Sequence, residues 1–466
     1  MAYSAFEAFL STPVMQTVFG EASIFQAMMD FEAALARAQA HAGLMSQAGA
    51  AAIVGVCRAE LYDLPAMSQQ ATRAGSLVVP MVQQLTQAVG LLDAEASRRV
   101  HWGATSQDVI DTAMALVTRR ALGLIEQDLT ALCGALLDLA EREVATPLLA
   151  RTLMQPAQIT SLAGRLLTWL APLVRSAQAL RNHAQRALAL QLGGAVGTLA
   201  VMGCNADAVA QAMAEDLHLR LPLSSWHTQR DEWLRLGLEV GVLAGTLGKV
   251  ARDWALMAQA EVGELSEPHE PGQGASSAMP NKRNPVAAML GIAGAQRTPH
   301  RVAALLACMG QEQERGLGSW QAELAEWSAL FVGVHGGLQA MAHAAKGLQL
   351  HRERMMANID AQNGAVCAEA LTFKLSEFLG KAAAQERVQQ LCEATGAQHL
   401  RDLALQMLQT DQSLAGRMPA SDIEALFDVQ EIARAAGARC EPELRQLREQ
   451  LTHLQLERHD ARSTPG

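Results

Sequence analysis

The clearest periodicity in the chain runs through residues 231–262, with the sequence DEWLRLGLEVGVLAGTLGKVARDWALMAQAEV. Apolar side chains recur there at alternating steps of four and three residues, at Leu236, Val240, Leu243, Leu247, Val250, Trp254 and Met257. Such a seam, sustained over about three heptads, is typical of a helix that packs into a bundle. The segment therefore predicts a long helix with bundle partners.

The amino-acid composition favours helices in the rest of the chain as well. Half of the 466 residues are hydrophobic, yet only 4% are aromatic, so Ala, Leu, Val and Met supply most of the apolar mass. Ala, Leu and Met have high helix propensities, whereas Tyr, Phe and Ile, which suit strands, are scarce. We therefore predict an all-α fold.

Four other segments are expected to form helices of similar length. They are residues 111–143, 157–191, 285–312 and 320–349. Five helices of roughly 25 to 35 residues, each about 40 to 50 Å long, predict an elongated central bundle.

The chain is expected to divide into three parts along its length. These are an N-terminal helical domain (1–110), the central bundle (111–350) and a C-terminal helical domain (351–466). Long helices that are apolar on more than one face need partners beyond their own chain. We therefore expect self-association.

Net charge and cysteine usage disfavour several classes of protein. The formal net charge is −10 and no basic cluster alternates with aromatic residues, so we expect no nucleic-acid partner. The seven cysteines are odd in number and widely spaced, which indicates reduced thiols in a cytoplasmic protein. No CxxC or HExxH motif predicts a metal site. Residues 187–206 lack charge but contain four glycines, so we predict a buried turn region there and no membrane span.

The segment with the most unusual chemistry is residues 274–285, GASSAMPNKRNP, which lies between long apolar runs. It combines two hydroxyls, two cations and two side-chain amides, which suits an anion and not a packed core. The pattern resembles the signature loop of the fumarase/aspartase superfamily, S-S-x-M-P-x-K-x-N. An ordinary loop between two helices is the alternative.

The resemblance implies a fold, an assembly and a chemistry. Members form homotetramers in which the central helices make one large bundle, three subunits build each active site, and no cofactor or metal takes part. Ser276 would be the general base that removes a proton next to a carboxylate, and Lys282 and Asn284 would hold that carboxylate. Ser277 and Met279 of the same loop are expected to contact the substrate. The Gly, Ser and Pro content of residues 266–285 fits a lid over the substrate.

Deprotonation next to a carboxylate builds a doubly charged intermediate, so cations and hydrogen-bond donors must already surround its oxygens. A serine hydroxyl is a poor base unless its anion is stabilised, which loop N–H groups and Lys282 could do.

Residues 101–108, HWGATSQD, resemble a second motif region of the superfamily. Thr105 and Ser106 would contact a substrate carboxylate, because hydroxyls and free N–H groups at a helix start favour an anion. The alternative is a simple helix cap made by Ser106 or Asp108. His101 opens the motif and is expected to line the site, although a structural histidine is an equal alternative.

Residues 150–157, ARTLMQPA, resemble the third region, R-T-H-x-Q-x-A. Thr152 and Gln155 are carried over as substrate contacts, whereas Leu153 stands where the superfamily has a histidine that helps to protonate the leaving group. A turn into the next helix is the alternative for this segment. Arg315 is expected to bind a further carboxylate, with a surface salt bridge as its alternative.

Leu153 indicates which branch of the superfamily the chain resembles. An amine leaving group needs a proton, but a carboxylate, whose acid has a reference pKa near 4, departs without one. Together with residues 192–198, 226–231 and 315–323, Leu153 favours the 3-carboxy-cis,cis-muconate cycloisomerase branch and a small polycarboxylate substrate. A C–N lyase of the adenylosuccinate type and a non-catalytic relative stay open.

Overall fold

The computed structural model describes residues 4–463 except 270, 271, 273, 276, 277, 280 and 397, and it describes side chains as far as residue 456. Almost all regular structure in these residues is α-helical, which confirms the all-α prediction. No helix in this part of the chain is long and apolar enough to cross a membrane.

Seven helices precede the first long one. They are α1 (Ala5–Phe9), α2 (Pro13–Val18), α3 (Glu21–His41), α4 (Gln47–Val56), α5 (Leu64–Ala74), α6 (Val78–Gly90) and α7 (Ala94–Ser97).

The five long helices predicted for the centre of the chain are present. The central helices are α8 (Ser106–Arg142), α9 (Leu162–Ala187), the shorter α10 (Ala206–Asp216), α11 (Asp231–Ala258), α12 (Val286–Ala307) and α13 (Ser319–Ala345). All seven apolar residues of the periodic seam in α11 are buried. The period-based prediction of a packed helix is therefore confirmed.

Seven more α-helices follow in the described part of the chain. They are α14 (Arg352–Asp360), α15 (Ala368–Leu379), α16 (Lys381–Glu393), α17 (Leu400–Thr410), α18 (Ala420–Leu426), α19 (Val429–Ala438) and α20 (Glu441–Ser463).

Two short antiparallel strand pairs interrupt the helices. Strands β1 (Pro147–Thr152) and β2 (Gln155–Ser161) form a hairpin, and β3 (Leu265–Ser266) pairs with β4 (Gln349–Leu350). The helix predicted for 157–191 was therefore wrong at its start, because residues 158–161 alternate between outward and buried side chains with the period of a strand. Pro172 lies inside α9, as predicted.

The chain forms two compact units, each assembled from three segments. Unit 1 comprises Met1–Leu129, Ser176–Gly248 and Leu290–Ala340, and unit 2 comprises Thr130–Arg175, Lys249–Met289 and Met341–Gly466. This division follows packing and not chain order, so the three domains expected from the sequence stay a prediction.

Aromatic packing organises the core of unit 1. The rings of Trp233 and Trp327 stack with centroids 4.0 Å apart, and Trp327 Nε1 donates to Thr118 Oγ1 at 2.8 Å. Phe331 and then Phe19 extend the contact, with centroid distances of 5.4 and 5.7 Å. Stacked aromatic rings bury large areas with a defined geometry, so they fix α8, α11 and α13 against one another.

The C-terminal helices supply an apolar core in unit 2. Leu371, Leu375 and Leu400 lie at its centre, and Leu149 of β1 and Ile159 of β2 pack against the same cluster. The base of the hairpin is thus anchored by burial of its aliphatic side chains.

Helix α19 approaches residue 144 of unit 2 so closely that only glycine fits. A Cβ atom on Gly437 would lie 1.8 Å from the carbonyl oxygen of Val144. We predict that Gly437→Ala lowers the free energy of unfolding by about 3 kcal/mol, because the helix must move away. Urea unfolding followed by circular dichroism measures this.

Gly134→Ala in α8 is the matched control, because nothing lies within 4 Å of the added Cβ. It should leave stability unchanged or raise it by about 0.5 to 1 kcal/mol. Equal unfolding midpoints for the two variants would contradict the close packing.

Candidate active site

The first turn of α8 places two of the predicted substrate contacts. The helix begins at Ser106, and Asp108 Oδ2 accepts the backbone N–H of Thr105 at 3.0 Å. This is the backward half of a capping box, in which the third helical residue satisfies the residue before the helix. This bond pairs the N–H of Thr105, which precedes the helix, and it does not satisfy the N–H groups of the first helical turn.

Arg315 meets this helix start. Its Nη1 lies 2.6 Å from Thr105 Oγ1, so the guanidinium contacts a hydroxyl at the positive end of a 37-residue helix. A guanidinium, two hydroxyls and unpaired helix N–H groups are the donors that a carboxylate prefers. The structure therefore brings Thr105, Ser106 and Arg315 together in unit 1.

Asp108 is the most connected side chain near this helix start. Its carboxylate is buried and accepts five hydrogen bonds, from Thr105 N, Gln191 Nε2, Gly193 N, Gly194 N and His227 Nε2. Sequence reasoning treated Asp108 only as a possible cap. The Thr-x-x-Asp spacing identifies the local bond, but the other four partners lie more than 80 residues away along the chain.

One turn further along α8, Asp111 anchors a second buried network. Arg230 binds it with two bonds, of 2.9 and 3.2 Å, and also binds Glu323. Trp320 Nε1 donates to Asp111 Oδ1 at 3.0 Å. Because Trp320 and Glu323 directly follow the segment that carries Arg315, this network ties that segment to α8.

The charges of the second network do not balance, since one guanidinium faces two carboxylates. Burial raises the pKa of Glu323, as does the neighbouring Asp111, while Arg230 opposes the shift. Burial by itself would lower the pKa of Arg230, but the two carboxylates raise it. The arginine is therefore held in its charged form. Such a buried guanidinium is structural, and Arg230 does not face solvent.

His101 is held by an ion pair. Its Nδ1 lies 2.6 Å from Glu32 Oε1, and the Glu32 side chain is almost fully buried. Burial alone would lower the pKa of His101, but the Glu32 carboxylate and the hydrogen bond to it raise that pKa above its ordinary value. The geometry gives His101 a structural partner next to the Thr105 turn.

The other two motif regions lie in unit 2. Arg151 of β1 makes two bonds to Glu264, of 2.9 and 3.2 Å, and Asn358 Nδ2 donates to the same carboxylate at 2.8 Å. Because Glu264 directly precedes β3 and the signature loop, this ion pair joins the hairpin to the start of the loop.

Thr152 and Gln155 form the last pair of the hairpin, and Leu153 and Met154 make the turn between them. Both turn residues have positive φ, of 50° and 67°, a conformation that costs an L-residue about 1 to 2 kcal/mol. The Leu153 side chain is 96% exposed. The two predicted contacts thus lie at an exposed, strained tip.

The signature loop is closed at its base. The carbonyl oxygen of Gly274 accepts Asn284 N at 2.9 Å and Asn284 Nδ2 at 3.2 Å. Inside the loop, Lys282 N donates to Met279 O at 3.0 Å, and the side chains of both residues are exposed. Ser276 and Ser277 lie outside the described residues.

A second set of hydrogen bonds joins the two ends of the loop. The Glu267 carboxylate accepts the N–H groups of Ala287 and Ala288, at 2.9 and 2.8 Å, at the start of α12. Burial raises the pKa of Glu267, and the helix N–H groups oppose that shift. The Glu267 carboxylate therefore holds the two ends of the loop together.

Known proteins resemble this chain over most of its length. A profile of a family described as lyase matches residues 9–298. The 3-carboxy-cis,cis-muconate cycloisomerase of Pseudomonas aeruginosa is 42% identical over 427 residues, which cover 92% of this chain and 93% of that protein. The chain belongs to the lyase family of the fumarase/aspartase superfamily.

Relatives within this superfamily differ in their reactions. The crystal structure of 3-carboxy-cis,cis-muconate lactonizing enzyme from Pseudomonas putida matches with a TM-score of 0.87 and 38% identity, covering 96% of this chain and 100% of that chain. Nitrosuccinate lyase of Streptomyces davaonensis is 36% identical over 426 residues, covering 90% of this chain and 89% of that protein. The fumarase/aspartase fold is thus confirmed, and the leaving group must be inferred from the site.

The His101–Glu32 pair predicts a pH-dependent contribution to stability. A raised folded-state pKa means that the contribution is fully present below the unfolded pKa of about 6.5 and is lost as pH rises through the folded value. We predict that the stability difference between the wild type and His101→Gln shrinks from about pH 6 to about pH 9. Urea unfolding across this range measures it.

Glu32→Gln is the control, because it keeps the histidine and removes its partner. The same decline should appear when this variant is compared with the wild type. A stability difference that does not change with pH would show that the pair is not ionic.

Proposed function

We propose that this protein is an enzyme that interconverts 3-carboxy-cis,cis-muconate and 4-carboxymuconolactone, a step of aromatic (protocatechuate, β-ketoadipate) catabolism. The observation that carries the proposal is the meeting of Arg315 and Thr105 at the positive end of α8. This arrangement suits a carboxylate in a chain that is 42% identical to a cycloisomerase over almost its whole length.

The reaction forms one C–O bond and one C–H bond. A carboxylate oxygen of the diene attacks the β-carbon, and the carbon next to another carboxylate gains a proton. In the reverse direction Ser276 takes that proton, the lactone C–O bond breaks, and the ring oxygen leaves as a carboxylate. Lys282 and Asn284 would hold the carboxylate whose charge increases, because donors placed beforehand lower the barrier most.

The residues at the hairpin tip favour a carboxylate as the leaving group. Leu153 cannot donate a proton, and a departing carboxylate does not need one, since its acid has a pKa of about 4. A departing amine would need a donor in its place. The aliphatic tip therefore favours lactone chemistry over an adenylosuccinate-type elimination.

A C–N lyase is the second candidate. The relative from Streptomyces davaonensis is named nitrosuccinate lyase and is 36% identical, so C–N bond cleavage is compatible with chains of this similarity. His101, which is paired with Glu32 and lies four residues before Thr105 in the chain, is a candidate proton donor for such a reaction.

We also propose a homotetramer in the cytoplasm. The exposed tip with Thr152, Leu153 and Gln155 supports the assembly, because substrate contacts that face solvent in one chain can complete the site of another. The seven cysteines are free thiols, which suits a reducing compartment.

An absorbance assay with three substrates tests the function. The purified protein is mixed separately with 3-carboxy-cis,cis-muconate, adenylosuccinate and nitrosuccinate, and absorbance and products are followed. Loss of the conjugated diene with formation of the lactone is the expected result. Turnover of only one of the other two would replace the proposal with a C–N lyase, and silence with all three would remove it.

Ser276→Ala tests the assignment of the base. We predict that kcat falls by at least about 100-fold, because proton transfer loses its acceptor, while size-exclusion chromatography shows an unchanged assembly. Asn281→Ala, an exposed residue of the same loop, is the control and should keep wild-type kcat. Wild-type kcat in the Ser276 variant would remove that serine from the mechanism.

A further inference from the structure

The buried carboxylate of Asp108 has no acceptor capacity left for chemistry. Its two oxygens offer about four lone-pair sites, and five donors occupy them. Oδ1 faces His227 Nε2 at 2.8 Å and Gly193 N at 2.9 Å, whereas Oδ2 faces Gly194 N at 2.8 Å and Thr105 N at 3.0 Å. A carboxylate used up in this way neither binds substrate nor moves a proton.

The partners of Asp108 are also joined to one another. His227 Nδ1 lies 3.0 Å from Ser225 Oγ. Ser225 Oγ accepts in turn from Gln191 Nε2 at 2.8 Å, and Gln191 Oε1 accepts Trp226 N at 2.8 Å. The segments 191–194 and 225–227 are thus locked around one carboxylate.

Residues 193–194 pack against the turn that precedes Thr105. A Cβ atom on Gly194 would lie 2.9 Å from the carbonyl oxygen of Gly103, and one on Gly193 would lie 2.8 Å from Ser225 Oγ. The residues before Thr105 therefore contact the 193–194 backbone directly. Thr105 itself is held by Asp108 through its N–H and contacts Arg315 through its hydroxyl.

We propose that Asp108 is the positioning residue of the carboxylate subsite, and that His227 acts through it. The carboxylate fixes the backbone of Thr105, so that the Thr105 hydroxyl, Ser106 and Arg315 converge on the substrate. This inference rests on the proposed function, because it assigns the first turn of α8 to substrate carboxylate binding.

A helix cap alone would behave differently. Loss of a cap lowers the fraction of folded molecules, so the maximal rate falls while KM and ligand affinity stay the same. Loss of a positioning group leaves the chain folded but misplaces the donors, and a displacement of about 1 Å costs about 100-fold in kcat/KM. The split between rate and affinity therefore distinguishes the two roles.

The matched variants are His227→Gln and His227→Leu, with Asp108→Asn as the direct test. A glutamine can place an N–H near the position of His227 Nε2 and keep the bond to Asp108, whereas leucine cannot. We expect Asp108→Asn and His227→Leu to raise KM for 3-carboxy-cis,cis-muconate and to weaken binding of tricarballylate, an unreactive tricarboxylate, by about 10-fold or more. His227→Gln should remain close to the wild type.

Calorimetric titration with tricarballylate keeps this test separate from the assay of function. If the wild type binds tricarballylate but does not convert the muconate, the proposed reaction fails while the comparison of variants still decides the role of Asp108. If Asp108→Asn does not fold, the two His227 variants decide it. Unchanged KM and tricarballylate affinity in His227→Leu, or no tricarballylate binding by the wild type, would overturn the inference.

Discussion

The site in unit 1 depends on two carboxylates one turn apart at the start of α8. Asp108 ties the helix to segments 191–194 and 225–227, and Asp111 ties it through Arg230 to the residues that follow Arg315. Buried charges are costly unless donors surround them. N–H donors surround Asp108, and Arg230 and Trp320 donate to Asp111, although Glu323 adds a like charge on the same guanidinium. The same bonds that satisfy these carboxylates therefore set the positions of Thr105 and Arg315.

In unit 2, ion pairs and hydrogen bonds at the ends of exposed segments hold those segments in place. The Arg151–Glu264 pair fixes the hairpin to the start of the signature loop, and Glu267 fixes both ends of that loop at α12. The hairpin tip and most of the described side chains of residues 272–283 are exposed. Leu153 and Met154 adopt a costly backbone conformation without burial in their own chain, which suits a tip that acts against something other than its own unit.

The sequence predicted the parts of this molecule that depend on local periodicity. The seam of α11 and the presence of α8, α12 and α13 follow from apolar spacing, although α12 and α13 end four to five residues before their predicted ends. The hairpin was missed because Pro147–Ser161 is short and its strand pattern merges with the apolar start of α9. Four of the five bonds of Asp108 could not be predicted, since they depend on chain segments that only the fold brings together. Arg315 was proposed as a carboxylate ligand, and the fold places it on Thr105, but the roles of Ser276 and Ser277 still rest on resemblance.

In the proposed reaction, a proton moves at the carbon next to a carboxylate while a C–O bond forms or breaks. The most direct measurement is conversion of 3-carboxy-cis,cis-muconate in D₂O, with the product analysed by NMR. We predict one deuterium at the methylene carbon next to a carboxylate of the lactone, because the proposed proton donor, a serine hydroxyl, exchanges with solvent before it delivers its proton. A lactone that carries no deuterium would contradict this proton transfer.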